Sequence, residues 1–245
     1  MTVKEYVMDR IKKGTLHMTL LDPDKQSAEE AARIALECKE AGTDAIMIGG
    51  STGITTENVN ETAMAIKKAT KLPVIYFPAG PHALPEKCDA LFFMSMVNST
   101  DLGMVIGAQA YTSLIIKQLG MEPISMGYII VEPGMKVAEV GKAKPIKRDD
   151  QKSAAAYALA CEYLGMNFVY LEAGSGADEP VPPRMISAVR DTVTIPLIVG
   201  GGIRTPEAAE AARKAGANII VTGTFIEQCS DRTLITDVIR AAKGI

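Results

Sequence analysis

The amino-acid sequence predicts an α/β fold of the closed (β/α)8 type, the TIM barrel, on three observations. Short apolar runs alternate with helical patterns along all 245 residues. Continuous apolar runs are typical of parallel strands that are buried on both faces. Eight such runs match the strand number of a TIM barrel, and the chain has the usual length of one. We therefore predict one domain over residues 1–245, with an open doubly wound sheet as the alternative.

The predicted strands and helices follow one another in strict alternation. The strands are predicted at residues 17–21, 45–48, 74–77, 90–94, 127–131, 167–171, 195–199 and 219–222. The helices are predicted at residues 27–41, 57–70, 105–119, 150–164, 183–192, 206–215 and 226–242. Ser27, three residues before Glu30, is typical of a helix N-cap. A short amphipathic helix over residues 3–13 precedes the first strand, where it can cap the barrel floor.

One helix of the expected eight has no counterpart in the sequence pattern. It should follow the third strand, but residues 78–85 contain Pro78, Pro81 and Pro85. Because proline lacks a backbone N–H and clashes with the preceding turn, these prolines prevent a long helix. We predict that the third helix is short or replaced.

The ends of the last two strands have the pattern of a phosphate-binding site. The seventh strand ends in Gly200, Gly201 and Gly202 before a helix, and the eighth ends in Gly223 and Thr224. Glycines let backbone N–H groups approach an anion closely, and a helix N-terminus adds its positive dipole. One such ending could be an ordinary turn, but two in tandem predict a shared phosphate cup at the carboxyl ends of the strands.

The ends of strands 1 and 2 predict a site for a hard cation. Asp22 ends the first strand and has the chemistry of a metal ligand or a general base, with helix capping as the alternative. Two glycines precede Ser51 at the end of the second strand, and its hydroxyl can share an ion with Asp22. Mg²⁺ takes only one or two protein oxygens in such sites. Asp24 and Lys25 lie further into the loop, where we expect solvated roles.

The sixth strand predicts contacts to the hydroxyl groups of a ligand. It ends in Tyr170, Leu171 and Glu172, and small residues follow over 173–176. By strand alternation, Tyr170 and Glu172 face the same side. A phenol and a carboxylate beside a phosphate cup suit a polyol phosphate. Aromatic and methionine-rich runs in strands 3 to 5 predict an apolar groove on the opposite side, although an ordinary core would give the same pattern.

Composition limits the classes of function. The net charge of −3 gives no electrostatic footprint for nucleic acid, so we expect no nucleic-acid partner. No apolar run is long enough for a membrane span, and the start of the chain lacks a signal-peptide pattern. The four scattered cysteines suit a reducing compartment. We therefore expect a cytoplasmic protein.

Together these motifs resemble the geranylgeranylglyceryl phosphate synthase family, the prenyltransferases that make the first ether bond of archaeal membrane lipids. The motifs are LLDPDK at 20–25, IGGSTG at 48–53, YLEAGSG at 170–176, VGGGIR at 199–204 and VTGT at 221–224. The resemblance covers essentially the whole chain. VGGGIR is shared by many phosphate-binding barrels, whereas LDPDK with GGST and YLEAGSG is specific.

The resemblance implies a reaction and its residues. The family joins sn-glycerol 1-phosphate to geranylgeranyl diphosphate with Mg²⁺ and releases diphosphate. Asp22 and Ser51 match the Mg²⁺ positions. Glu172 would bind the glycerol hydroxyls, and whether it also takes a proton stays open. The positions that match the glycerol-phosphate site are Tyr170, Leu171, Glu172, Ala173, Gly174, Ser175, Gly176, Gly201, Gly202, Gly223 and Thr224.

The resemblance also leaves alternatives. Some family members carry a lysine two residues before the strand 1 aspartate, where this chain has Leu20. Lys25 is not an obvious substitute. The family implies a homo-oligomer, either a dimer or a hexamer, and a lipid substrate allows a peripheral membrane contact. The alternative functions are a sugar-phosphate isomerase or cyclase, and a phosphometabolite-binding module without catalysis. The accepted prenyl length stays open.

Overall fold

A computed structural model describes residues 1–50, 53–78 and 80–245 and contains a closed barrel of parallel strands. The strands follow chain order around the barrel, and β8 closes it by pairing with β1. This confirms the predicted fold class. The strands are β1 Leu16–Leu21, β2 Ala45–Gly49, β3 Val74–Phe77, β4 Ala90–Met96, β5 Glu122–Ile130, β6 Phe168–Glu172, β7 Leu197–Gly200 and β8 Ile219–Thr222.

The helices pack around the barrel, except that α1 lies across its floor. They are α1 Val3–Ile11, α2 Ala28–Ala41, α3 Thr56–Thr70, α4 Ala108–Leu119, α5 Met135–Val140, α6 Gln151–Tyr163, α7 Pro183–Thr192, α8 Pro206–Lys214, α9 Thr224–Gln228 and α10 Arg232–Lys243. A π-helical turn, Gly103–Gly107, leads into α4. The described residues between β3 and β4 contain no helix, as the prolines there predict.

The prediction of one helix over residues 226–242 is wrong, because the structure has two helices there. The short helix α9 ends at Gln228, and the chain then turns before α10 begins at Arg232. Asp231 starts the second helix, since its carboxylate accepts hydrogen bonds from the backbone N–H groups of Thr233 and Leu234. Such an N-cap satisfies donors that a continuous helix would bond internally.

The fifth strand begins earlier than predicted, at Glu122 instead of residue 127. Most of it pairs with β4, from Ala90 opposite Glu122 to Met96 opposite Tyr128. Pro123 lies within this pairing and broke the apolar run in the sequence. The helix α5 that follows has only six residues and was not predicted.

Alternate residues of the strands face the inside of the barrel, where aromatic rings pack together. The ring of Tyr128 lies 5.4 Å from that of Phe77 and 5.1 Å from that of Tyr170, in edge-to-face arrangements. Residues between them, such as Leu171 and Val199, face outward and pack under the helices. Each fully buried side chain of this size contributes roughly 1.5–3 kcal/mol.

A buried carboxylate ties both chain termini to the barrel floor. Asp44, just before β2, is fully buried and accepts a hydrogen bond of 3.0 Å from the backbone N–H of His17. Its carboxylate also pairs with Arg10 from α1 and with Lys243 from α10. Tyr6 of α1 donates to the Asp44 carbonyl. The prediction that the first helix caps the barrel floor is therefore confirmed.

His17 is a neutral structural residue inside this floor. Burial lowers the pKa of His17 to about 3. Its Nδ1 lies 2.8 Å from the Thr43 hydroxyl and its Nε2 lies 2.9 Å from the Thr222 hydroxyl. Both ring nitrogens therefore have partners that do not need a charged ring, and we assign it no role in chemistry.

Replacing Asp44 by asparagine is expected to lower the free energy of unfolding by about 3 kcal/mol or more, because Arg10 and Lys243 then lose a buried counter-charge. The matched control is Asp9→Asn, since Asp9 is exposed and pairs with Lys12 on the surface of α1. This control should change the free energy of unfolding very little, because an exposed ion pair is screened by solvent. Denaturant unfolding measures both, and equal losses would contradict the role of Asp44.

Candidate functional site

The ends of β6, β7 and β8 form a small polar cavity that we call the cup. It is lined by Ser175, Gly176, Gly201, Gly202, Gly223 and Thr224, together with Arg204. The hydroxyls of Ser175 and Thr224 are hydrogen bonded to each other, which joins the loops after β6 and β8. The Arg204 guanidinium donates to the Gly176 carbonyl at 2.5 Å. The cup therefore combines glycine backbone, hydroxyls and a positive charge, which suits an anion such as phosphate.

The three glycines after β7 are needed for close packing as well as for a ligand. A Cβ on Gly200 would lie 2.2 Å from the Tyr170 hydroxyl, and one on Gly201 would lie 2.3 Å from Glu172 Oε1. Gly201 and Gly202 also have positive φ angles of 83° and 71°. Any other residue here would push away the side chains of Tyr170 and Glu172. The triple glycine thus fixes the wall of the cup.

Glu172 is a buried carboxylate with three hydrogen-bond donors around it. The backbone N–H of Gly174 donates to its Oε1 at 2.7 Å, and the hydroxyls of Tyr128 and Tyr170 also donate to it. Burial raises the pKa of Glu172, and these hydrogen bonds lower it by less. Burial also raises the pKa of both tyrosines well above the ordinary value, so they are neutral donors. The carboxylate keeps acceptor sites for the hydroxyls of a ligand.

Not every residue of the 170–176 motif turns its side chain to the cup. Leu171 and Ala173 are fully buried and belong to the core between the sheet and the helices. Gly174 packs against Gly134, whose backbone oxygen would lie 2.7 Å from a Cβ. Contact of these three residues with substrate stays a prediction, and any such contact by Leu171 or Ala173 would use the backbone.

A second group of charges lies at the mouth, beside the end of β1. Lys25 Nζ is 2.5 Å from Asp22 Oδ2 and 2.9 Å from Glu227 Oε2. Glu227 Oε1 accepts a hydrogen bond of 2.8 Å from the backbone N–H of Asp22. Burial raises the pKa of Asp22 to about 6, although the hydrogen bond from Lys25 lowers it. Lys25 is therefore an ion-paired residue of the site, and its predicted solvated role is wrong.

The surroundings of Asp22 fit a magnesium ion that needs few protein ligands. Residues 1–50, 53–78 and 80–245 contain no group of three or more His, Cys, Asp or Glu that could hold a metal. Asp22 is a single carboxylate at an open mouth, and Gly50 lies against it, with a Cβ there 3.3 Å from Asp22 Cγ. Mg²⁺ bound to phosphates needs only one or two carboxylates. Ser51, the other predicted ligand, lies outside the described residues.

An apolar groove runs from this mouth towards α4. It is lined by side chains from β3, β4 and α4, and the loop after β3 forms part of its wall: Phe77, Leu84, Phe93, Met94, Met104 and Ile116. Asp22, Tyr170 and Glu172 line its inner end. The groove lies on the side of the barrel where the third helix is missing. This confirms the apolar groove predicted from strands 3 to 5.

Sequence reasoning missed two residues of the site. Tyr128 is hidden in the apolar run of β5, and only its register opposite Tyr170 reveals that both face the same interior. Glu227 was placed in a long helix, whereas the short helix α9 turns it back to Asp22. Arg204 was present in a quoted motif without an assigned role, although a cation after three glycines suits an anion site.

Gly201→Ala is expected to lower the free energy of unfolding by about 2–5 kcal/mol. The positive φ costs roughly 1–2 kcal/mol, and the clash with Glu172 roughly 1–3 kcal/mol more. The control is Gly165→Ala, because Gly165 has a φ of 78° but no atom within 4 Å of its Cβ position. Denaturant unfolding compares the two, and a loss at Gly201 no larger than at Gly165 would contradict the close packing.

Comparison with known proteins finds relatives over nearly the whole chain. Residues 8–242 match the PcrB family. The geranylgeranylglyceryl phosphate synthase of Thermococcus kodakarensis is 50% identical over 99% of this chain and 98% of its own. The synthase of Methanosarcina barkeri is 50% identical over 95% of each chain.

Solved structures are similar over the whole chain as well. A crystal structure of (S)-3-O-geranylgeranylglyceryl phosphate synthase from Thermoplasma acidophilum, in complex with its substrate sn-glycerol-1-phosphate, is 44% identical and covers 100% of both chains, with a TM-score of 0.96. The Legionella pneumophila tryptophan synthase alpha chain, 13% identical with a TM-score of 0.64 over 99% of this chain and 97% of its own, shares the fold alone. With these identities over nearly the full length, the chain belongs to the PcrB family of geranylgeranylglyceryl phosphate synthases.

Proposed function

We infer that this protein transfers a geranylgeranyl group from its diphosphate to the free terminal hydroxyl of sn-glycerol 1-phosphate, which makes the first ether bond of archaeal membrane lipids. One observation carries the inference: the cup and the apolar groove share Tyr170, Glu172 and Ser175, and Asp22 lines the groove beside them. A small polar phosphate and a long hydrocarbon therefore have separate sites with a common end. The related Thermoplasma acidophilum enzyme was crystallised with sn-glycerol-1-phosphate as substrate.

The cup and Glu172 orient the acceptor substrate. Arg204 and the backbone of the cup bind its phosphate, and Glu172 accepts hydrogen bonds from the glycerol hydroxyls. Tyr128 and Tyr170 hold the carboxylate in place through their own hydroxyls. This arrangement points the terminal hydroxyl towards the groove and removes much of the entropic cost of bringing two reactants together.

The reaction forms one C–O bond and breaks another. The hydroxyl oxygen attacks the allylic carbon, the bond from that carbon to the diphosphate oxygen breaks, and diphosphate leaves with the electron pair. The hydroxyl proton passes to Glu172, which lines both the cup and the groove and whose pKa is raised by burial. Apolar side chains of the groove exclude water from the prenyl chain and the reacting carbon.

Asp22 and Ser51 would hold Mg²⁺ at the mouth. When bound, the ion supplies positive charge that offsets the charge developing on the leaving diphosphate. Asp22 would supply one carboxylate, and one or two suffice for a magnesium ion that also binds substrate phosphates. Lys25 holds that carboxylate through an ion pair, and Glu227 holds the backbone N–H of Asp22.

We also expect a cytoplasmic homo-oligomer, a dimer or a hexamer. Ile106, just before α4, is exposed together with Tyr111 and Leu114 of α4. Tyr163 and Leu164 are exposed at the end of α6. Exposed apolar residues in such number favour a contact surface, here with a second copy or with lipid. None of the described helices is long and apolar enough to cross a membrane. A monomer mass in sedimentation would contradict the homo-oligomer.

The proposed function is tested by incubating the protein with labelled sn-glycerol 1-phosphate, geranylgeranyl diphosphate and Mg²⁺ and extracting the product into organic solvent. Asp22→Asn is expected to lower kcat about a hundredfold or more, since a lost metal ligand removes several kcal/mol of transition-state stabilisation. The control Asp24→Asn, in the same loop but exposed, should keep near-parent turnover.

Two outcomes would contradict this account. No extractable product from the parent protein would exclude the prenyl transfer and favour another phosphate-binding barrel enzyme or a binding module. Near-parent turnover in Asp22→Asn would refute the metal role of Asp22 while leaving the transfer intact.

A further inference from the structure

Lys25 and Glu227 form a charge cluster with Asp22. The family resemblance assigns no role to Lys25 or to Glu227. Glu227 lies at the far end of α9, whose first residue, Thr224, lines the cup. Lys25 comes from the loop after β1 and bridges the two carboxylates at 2.5 Å and 2.9 Å. The cluster therefore connects α9, which begins in the cup, with Asp22, which lines the groove.

Glu227 is a buried carboxylate that is bonded to its neighbours, and it has little room for a ligand. Its side chain is only 4% exposed. Its Oε1 accepts from the backbone N–H of Asp22 at 2.8 Å and from Gln26 Nε2 at 3.3 Å, and its Oε2 accepts from Lys25. A buried carboxylate with donors on both oxygens has a fixed geometry, because losing any of them would leave charge unpaired.

Lys25 differs from Glu227, because its ammonium can leave Asp22 and still stay paired with Glu227. Its side chain is 41% exposed, and it has a flexible stem of four carbons. An ammonium has three donors, and the two carboxylates take two of them. If it left Asp22, Glu227 would retain it at the mouth. Glu227 thus limits where the ammonium can go.

The position of the Lys25 ammonium conflicts with the proposed role of Asp22 as a metal ligand. Lys25 Nζ lies 2.5 Å from Asp22 Oδ2, so it occupies one oxygen that a cation would use. Leu20, which lines both the cup and the groove, provides no charge where some relatives have a lysine. The leaving diphosphate carries several negative charges, and Lys25 is the cation that lies beside Asp22.

We propose that Lys25 binds the diphosphate of the prenyl substrate and that Glu227 positions it there. In the structure Lys25 pairs with Asp22. When the diphosphate arrives, Lys25 moves from Asp22 to a phosphate oxygen, remains bonded to Glu227, and leaves the Asp22 carboxylate to the metal. The proposal rests on the proposed function, since it names a residue for the diphosphate of that reaction.

The test uses the full chain and inorganic pyrophosphate with Mg²⁺, measured by isothermal titration calorimetry. Lys25→Met keeps the stem but removes the charge, and it is expected to weaken pyrophosphate binding roughly tenfold, the value of one charge-assisted hydrogen bond. In turnover assays, KM for the prenyl diphosphate should rise by a similar factor, with KM for sn-glycerol 1-phosphate unchanged. The matched control is Lys67→Met, because Lys67 is 40% exposed and its Nζ lies 2.6 Å from Asp89 Oδ1. This ion pair is remote from the mouth.

The positioning role of Glu227 has its own readout. Glu227→Gln is expected to weaken pyrophosphate binding severalfold, and the double variant should bind no more weakly than Lys25→Met alone, because Glu227 acts through Lys25. Additive losses would overturn the positioning role. Thermal unfolding of each variant shows whether the fold is kept.

The remaining outcomes decide the proposal as a whole. Parent-like pyrophosphate affinity in a folded Lys25→Met variant would overturn it, and so would an equal rise in KM for both substrates. A parent protein that makes no prenylated product but binds pyrophosphate through Lys25 would refute the proposed function and leave the anion site standing.

Discussion

The buried carboxylate of Glu172 is the constraint on which the site depends. It needs donors because an unpaired charge inside the barrel would be costly, and Gly174, Tyr128 and Tyr170 supply them. It also needs space, which Gly200 and Gly201 provide by having no side chain. The glycine loop leaves room for this carboxylate, and the register of β5 against β6 brings both tyrosine hydroxyls to it. The phosphate cup lies on the scaffold that results.

The position of α9 links this scaffold to the mouth. The helix begins at Thr224 in the cup and ends just after Glu227, so one short element contacts both the proposed phosphate site and the Asp22 cluster. The break between α9 and α10 makes this possible, since a continuous helix would run away along the barrel wall. In the same way, the loss of the third helix opens the barrel side to the groove. Local departures from the regular barrel thus occur where two substrates must meet.

The sequence could predict the barrel, the missing helix, the family and most strand ends, because these depend on local periodicity, glycine and proline. It could not predict pairs that only closure brings together. Tyr128 looks like core from its own segment, and its contact with Glu172 depends on the register of β5 and β6. Lys25 looked solvated because its partner Glu227 is some two hundred residues away in the chain. Leu171 belonged to a binding motif but faces the helices, since alternate residues of a strand point to opposite sides.

The central claim is that Glu172 recognises the glycerol hydroxyls, whereas the cup recognises only phosphate. Calorimetry on Glu172→Gln, with sn-glycerol 1-phosphate and with inorganic phosphate, separates the two. The account predicts roughly tenfold weaker binding of sn-glycerol 1-phosphate, because charged hydrogen bonds to its hydroxyls are lost, and unchanged binding of inorganic phosphate. Unchanged affinity for sn-glycerol 1-phosphate, or an equal loss for both ligands in a folded variant, would contradict it.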